Sequence, residues 1–202
     1  LMEVWGIIVA AGMGRRFGSL KQHVELGGVP IWQRARDSLR AGGADQVVLV
    51  GDVEGGIAGG ERRRDSVAAG LAQVPAGVDY VLVHDAARPN ASNRLVEQVV
   101  ARLCRSDVDG VVPAVPVRDT LKEVSGETVV GTRDRSDLVA VQTPQGFRRA
   151  ALQYAHSTFE GDASDDASMV EATGGKVVWI DGDPRNLKLT YPDDLRVLEG
   201  LL

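Results

Sequence analysis

One cysteine, Cys104, stands in a chain of 202 residues. That scarcity excludes an internal disulfide and any cysteine-rich metal site, and it suits a reducing cytoplasm. Cys104 lies in RLVEQVVARLCRSD, where Leu95, Val96, Val99, Val100 and Leu103 recur at helical spacing, so it reads as a small buried hydrophobe. No apolar run is long and uncharged enough to cross a bilayer. The segment Val4 to Ala11 has no basic residues before it and runs into Arg15 and Arg16, so no signal peptide is expected. Positive charge is not in excess: the net charge is −5, which argues against coating nucleic acid or an anionic membrane. Repeats, low-complexity tracts and linkers are lacking too, and a single cytoplasmic domain over residues 1–202 is expected.

What is present is a rhythm of strands and helices. Val4–Ala10, Gln46–Gly51, Tyr80–His84 and Gly110–Val117 are apolar, β-branched-rich runs of the continuous kind found in strands covered on both faces. Helical patterns lie between them: IWQRARDSLRAGG, RRDSVAAGLAQV, and SNRLVEQVVARLCRSD with Ser92 or Asn93 as cap. The alternation predicts an α/β fold, Rossmann-like, with an open, mostly parallel sheet and helices on both faces.

The rhythm breaks at about residues 117–137. TLKEVSGETVVGT places SGE between two short β-like stretches and predicts a protruding hairpin with Gly126 in its turn. A two-stranded ribbon is marginal alone, so this arm packs either on a second subunit or back on its own domain. Helices from FRRAALQYAHSTF and DDASMVEATGG, a strand KVVWI and a terminal helix starting near Pro192 complete the expected order.

In such folds ligands bind outside the carboxyl ends of the strands, and the loop after the first strand is the usual phosphate site. Here that loop reads GMGRRFGSLK, residues 12–21. It fails the dinucleotide fingerprint, because Phe17 stands where the third glycine belongs, and it fails the P-loop pattern around Lys21. What remains is a pair of close-approach glycines, Gly12 and Gly14, with Arg15, Arg16 and Lys21. Such a cluster is either a solvated turn or a cradle for a polyanion, for which a triphosphate supplies the charge.

AAGMGRRFGSLKQ, GGERRRDSV, HDAARP, VRDTLK, DRSDLVAVQTPQGF, SDDAS and NLKLT follow one another in an order that resembles the 2-C-methyl-D-erythritol 4-phosphate cytidylyltransferases. The likeness spans nearly the whole chain and extends to the related ribitol-5-phosphate cytidylyltransferases. It implies transfer of CMP from CTP to the acceptor's phosphate with release of pyrophosphate and Mg²⁺ present. Carried over, Ala10, Ala11, Gly12 and Gly14 line the nucleotide, and Arg16 and Lys21 hold the triphosphate as catalytic residues. Gly60, Arg63 and Ser66 match nucleotide-contacting positions. Asp85 matches the metal ligand, flanked by Ala86 and Arg88. Thr120, Thr143, Arg135 and Lys188 match positions that hold the sugar phosphate or the reacting phosphates, Arg135 and Lys188 among the catalytic ones. One departure is Leu20, where the family commonly has proline before the lysine.

Several of these residues have plainer readings. Asp85, just past YVLVH, is placed either to hold Mg²⁺ with phosphate oxygens or to bond its own backbone in a turn. His84, with no second His or Cys nearby, reads as a packing residue. Asp165 and Asp166 read as a helix cap and a first-turn acid, and Arg62 and Arg64 as solvated charges. The expected chemistry needs positioning and charge neutralisation more than acid–base machinery, because a phosphate monoester is already an anionic nucleophile. A homodimer formed through the hairpin arm is expected. The alternatives are the same chemistry on ribitol 5-phosphate, or a nucleotide-binding protein of this architecture without catalysis.

Overall fold

A computed structural model describes residues 2–12, 17, 23–105 and 107–202. Its strands and helices follow the apolar runs. β1 (Val4–Val9) is followed by a two-stranded turn, β2 (Glu25–Leu26) and β3 (Val29–Pro30), then α1 (Ile31–Ala41), β4 (Gln46–Val50), α2 (Arg63–Leu71), β5 (Tyr80–Asp85), α3 (Asn93–Leu103) and β6 (Gly110–Pro116). β7 (Leu121–Ser125) and β8 (Thr128–Arg133) come next, then β9 (Val139–Val141), β10 (Gln145–Arg148), α4 (Arg149–Thr158), α5 (Asp166–Ala172), β11 (Val177–Asp181) and α6 (Asp194–Glu199).

The main sheet runs β11-β6-β10-β5-β1-β4, with β9 paired to β6 off that path. β1, β4 and β5 are mutually parallel, β11 is parallel to β6, and β10 runs against both of its neighbours. Side chains alternate along each strand, so neighbouring residues feed opposite faces. Ile8 and Leu82 join Leu39 of α1 and Val96 and Val99 of α3 on one face. Ile7, Val81 and Val83 join Leu71 of α2, Leu152 of α4 and Met169 of α5 on the other. The expected open α/β sheet with both faces covered is therefore the observed one. A smaller cluster of Leu26, Ile31, Leu189 and Leu198 packs β2, the start of α1 and α6 together.

Two boundaries differ from the periodic reading. FRRAALQYAHSTF is not helical from its first residue: Phe147 and Arg148 belong to β10, where Phe147 pairs with Val81 on one side and Gly110 on the other. Phe147 is fully buried there, and Gly146 beside it leaves no room for a side chain, since a Cβ would lie 2.7 Å from Val99 Cγ1. The terminal helix begins at Asp194, two residues after Pro192.

β7 and β8 form the expected hairpin, with Gly126 at φ +58° in its turn. They make a separate two-stranded sheet, and Val124, Val129 and Val130 on it are exposed. Cys104 sits half-buried just after α3, beside the core.

Candidate active site

Parallel register brings three strand ends level: Val9 of β1 lies opposite Val50 of β4 and opposite Asp85 of β5. The chain leaves β1 through Ala10, whose N–H donates to Val50 O at 2.7 Å, while the Ala86 N–H donates to Val9 O at 3.1 Å. Ala10 and Ala86 are buried, Ala11 is partly buried and Gly12 is exposed. Among the described residues, a Cβ on Gly12 would meet no atom within 4 Å. Gly14, Arg16 and Lys21 lie outside the described residues, as does Arg15.

Next to this turn, the glycine backbone before α2 packs closely against neighbouring side chains. A Cβ on Gly59 would lie 2.5 Å from Ala11 Cβ and 2.8 Å from Ser66 Oγ, and one on Gly60 would lie 2.4 Å from Asp65 Cβ. Gly60 N–H donates to Ser66 Oγ at 3.1 Å, and Ser66 donates onward to Arg62 O at 3.3 Å. The buried Ser66 hydroxyl therefore holds the glycine loop in place against Ala11.

Asp85 is the centre of an ionic chain built from distant parts of the sequence. Arg63 Nε donates to Asp85 Oδ1 at 3.0 Å and Lys188 Nζ to Asp85 Oδ2 at 2.7 Å. Arg63 Nη1 also donates to Asp166 Oδ2 at 2.6 Å, and His156 Nε2 donates to Asp166 Oδ1 at 3.0 Å. Burial alone would raise the Asp85 carboxyl, but Arg63 and Lys188 outweigh it and hold the group well below the usual carboxylate range. Burial likewise opposes the charge on Arg63, and Asp85 with Asp166 reverses that effect and raises it. Asp85 is therefore an anion at any physiological pH.

A second, neutral network fixes the backbone around Asp85. His84 Nε2 lies 3.2 Å from Arg88 O, and a carbonyl can only accept, so Nε2 carries the proton. Burial pushes the His84 imidazole down to about 4, so Nδ1 is bare and accepts from Thr143 Oγ1 at 2.8 Å. Thr143 Oγ1 in turn accepts from the Asp85 N–H at 3.1 Å. Asn186, two residues before Lys188, donates to Thr143 O at 2.8 Å, and its carbonyl accepts from Arg88 Nη1 at 2.7 Å. His84 thus does more than pack: it orients the Thr143 hydroxyl that braces Asp85.

The structure brings Ala10, Ala11, Gly60, Arg63, Ser66, Asp85, Ala86, Arg88, Thr143 and Lys188 to one edge of the sheet. Thr120 and Arg135 are elsewhere, exposed near the base of the arm, with Arg135 donating to Arg118 O. Among the described residues no hydrogen bond joins either of them to the Asp85 cluster.

Sequence reasoning missed Asp166, His156 and Asn186. Asp165 does cap α5, accepting from Ser168 N at 3.0 Å, but Asp166 is fully buried and paired, not a surface acid serving a helix end. Arg62 is exposed and Arg64 partly so, but neither is a free charge. Arg62 pairs with Asp65 and Asp162, and Arg64 donates to Phe159 O at 3.0 Å and to Gly161 O. Half-exposed though they are, they tie α2 to the loop before α5.

As for metal, among the described residues no three His, Cys, Asp or Glu side chains gather. Mg²⁺ sites commonly use one or two carboxylates with substrate phosphates completing the shell. Asp85 fits that pattern: each of its oxygens has one partner, and a carboxylate offers about four acceptor positions.

The family model for "IspD: 2-C-methyl-D-erythritol 4-phosphate cytidylyltransferase" matches residues 4–202. A 2-C-methyl-D-erythritol 4-phosphate cytidylyltransferase from Rhodococcus jostii is 42% identical over 217 residues, covering 98% of this chain and 95% of that protein. A bifunctional IspD/IspF enzyme from Nitratidesulfovibrio vulgaris is 39% identical over 98% of this chain, which spans 58% of that longer protein. The crystal structure of 2-C-methyl-D-erythritol 4-phosphate cytidylyltransferase from Thermus thermophilus superposes with a TM-score of 0.83, at 32% identity and 96% coverage of both chains.

Proposed function

Because the chain belongs to the 2-C-methyl-D-erythritol 4-phosphate cytidylyltransferase family, we propose that it transfers CMP from CTP to 2-C-methyl-D-erythritol 4-phosphate. The products are CDP-methylerythritol and pyrophosphate. The observation that carries this reading is the placement of Arg63 and Lys188 on the two oxygens of Asp85 at the carboxyl edge of the parallel strands.

In this reading a phosphate oxygen of the acceptor attacks the α-phosphorus of CTP. The bond from that phosphorus to the bridging oxygen breaks, and pyrophosphate leaves. Both reactants are anions, so their approach is opposed until cations offset it. Lys188, Arg63 and Arg88 supply such charge from the described residues, and Arg16 and Lys21 are proposed to do so at the triphosphate. Lys188 suits the reacting phosphates: its side chain is 43% exposed, whereas its partner Asp85 is almost covered. Ala10, Ala11, Gly12, Gly14 and Gly60 line the nucleotide with backbone, and Ser66 holds Gly60 in place. Ala86 and Thr143 shape the acceptor side. Asp85 would hold Mg²⁺, which when bound supplies further neutralisation of phosphate charge.

The arm supports a homodimer. Its exposed Val124, Val129 and Val130 have no cover among the described residues, and an isolated ribbon gains little stability in water. Thr120 and Arg135 then act across the dimer, on the acceptor bound by the other copy. No helix among the described residues is long and apolar enough to cross a membrane. The lone Cys104 suits the cytoplasm, where this reading places the enzyme.

Pyrophosphate release from CTP with Mg²⁺ and methylerythritol phosphate tests the proposal. Turnover with that acceptor well above turnover with ribitol 5-phosphate is expected. Dominant ribitol 5-phosphate activity would move the substrate assignment, and CTP binding without pyrophosphate release from either acceptor would remove the enzymatic one.

A further inference from the structure

Arg63 donates from Nε to Asp85 and from Nη1 to Asp166, and its Nη2 is buried with no partner among the described residues. A guanidinium is a rigid planar fork, so fixing two of its nitrogens fixes the direction of the third. Asp85 has the metal-holding duty proposed above. Asp166 has no such duty, yet it is a carboxylate with no exposed surface at all. Burying a carboxylate is costly unless it is paired, and the start of α5 does not require it, because Asp165 already caps that helix.

The surroundings of Asp166 are built to hold it. His156 of α4, almost covered, donates to Asp166 Oδ1 and leaves Oδ2 to face Arg63. The preceding residue, Asp165, is itself fixed by Gln145 Nε2 of β10 at 2.7 Å. The first turn of α5 is thus clamped from α4 and from β10, and its carboxylate is aimed at one target.

We propose that Asp166, backed by His156, is a positioning residue that sets the direction of Arg63 so that its unspent Nη2 is presented to the nucleotide. Neither residue touches a reactant; both act through Arg63. The inference rests on the CTP-binding reading above and assigns a nucleotide-side role to residues that helix-start chemistry alone does not explain.

Asp166→Asn, His156→Ala and His156→Gln test it, with CTP binding followed by calorimetry and KM measured separately for CTP and for the acceptor. Asp166→Asn and His156→Ala are expected to weaken CTP binding and raise its KM by roughly tenfold or more, the scale seen when a supporting partner of a site residue is lost. The acceptor KM should stay within about twofold, since Lys188, Ala86 and Thr143 are untouched, and such a split is what separates nucleotide positioning from general damage. Gln keeps an N–H donor, so His156→Gln should restore most of the CTP affinity lost in His156→Ala. Unchanged CTP affinity in folded Asp166→Asn, or equal losses for both substrates, would overturn the proposal. So would unfolding of all three variants, which would make the pair a plain core element. An unsubstituted chain that binds no CTP would instead strike the functional reading itself.

Discussion

Lys188 Nζ and Asp85 Oδ2 lie 2.7 Å apart although 103 residues separate them in sequence. The loop after β11 has to fold back over the end of β5 to make this contact, and Asn186 pins it there through Thr143 and Arg88. Replacing Lys188 by Ala should therefore leave the fold intact and lower kcat by roughly 10²-fold, the usual cost of removing one charge-stabilising donor. Pyrophosphate release by the folded variant checks this. Near-normal turnover would remove Lys188 from the reacting centre.

Arg63 neutralises two carboxylates, one of them fully buried. Arg63→Ala leaves Asp166 with only His156 for company and should destabilise the fold by roughly 3 kcal/mol, as expected when one partner of a buried pair is removed. Urea unfolding of the variant measures it. A second variant, Arg63→Ala with Asp166→Asn, should recover part of that stability, because the orphaned charge is gone.

The His84 imidazole predicts a pH slope. Its folded value of about 4 lies below the ordinary 6.5, so the unfolded chain takes up the proton first as pH falls. Its contribution is complete above pH 6.5 and drains away between there and pH 4, reaching roughly 3 kcal/mol. Asp85, held below its ordinary 3.8, loses its contribution only as pH drops beneath that figure. Urea midpoints taken from neutral pH downwards should fall through the first window, and His84→Asn should flatten that part of the curve. A parent curve that is flat there would count against a neutral buried His84.

Phe147 fills the centre of the sheet beneath α4, between β5 and β6. Phe147→Ala is expected to cost about 3–5 kcal/mol, with an unchanged KM for whatever fraction remains folded. Thermal melting and titration of active sites separate the two effects.

The arm gives the last test. Val129→Lys together with Val130→Lys places charge on its exposed apolar surface. Light scattering should report a shift from dimer to monomer, with loss of turnover if Thr120 and Arg135 act across that dimer. An unsubstituted chain that is already monomeric and fully active would rule out this use of the arm.

How much could be read from residues alone depends on how local each signal is. β1, β4, β5 and β6 announce themselves because strands covered on both faces need unbroken apolar runs, and Ser92 marks the start of α3 by its own cap. β10 does not, because QGFR holds one large apolar side chain and owes its burial to the strands on either side. Asp85 stands out at the end of an apolar run. Asp166 does not, because an acid in the first turn of a helix already has a sufficient local reason to be there, and its real partner is 103 residues away. The arginines of ERRR look alike in the sequence; only their separate partners, Asp65, Asp85 with Asp166, and the backbone of Phe159, tell them apart.

The reversed direction of β10 has an outcome of its own. Parallel strands end at the edge that carries Asp85, so each contributes only its outgoing loop. A strand running the other way begins at that edge, and the residues leading into it arrive there before the strand starts. Thr143 and Gln145 reach Asp85 and Asp165 by this route. The inverted β10 thus lets the sheet furnish that rim from both incoming and outgoing polypeptide.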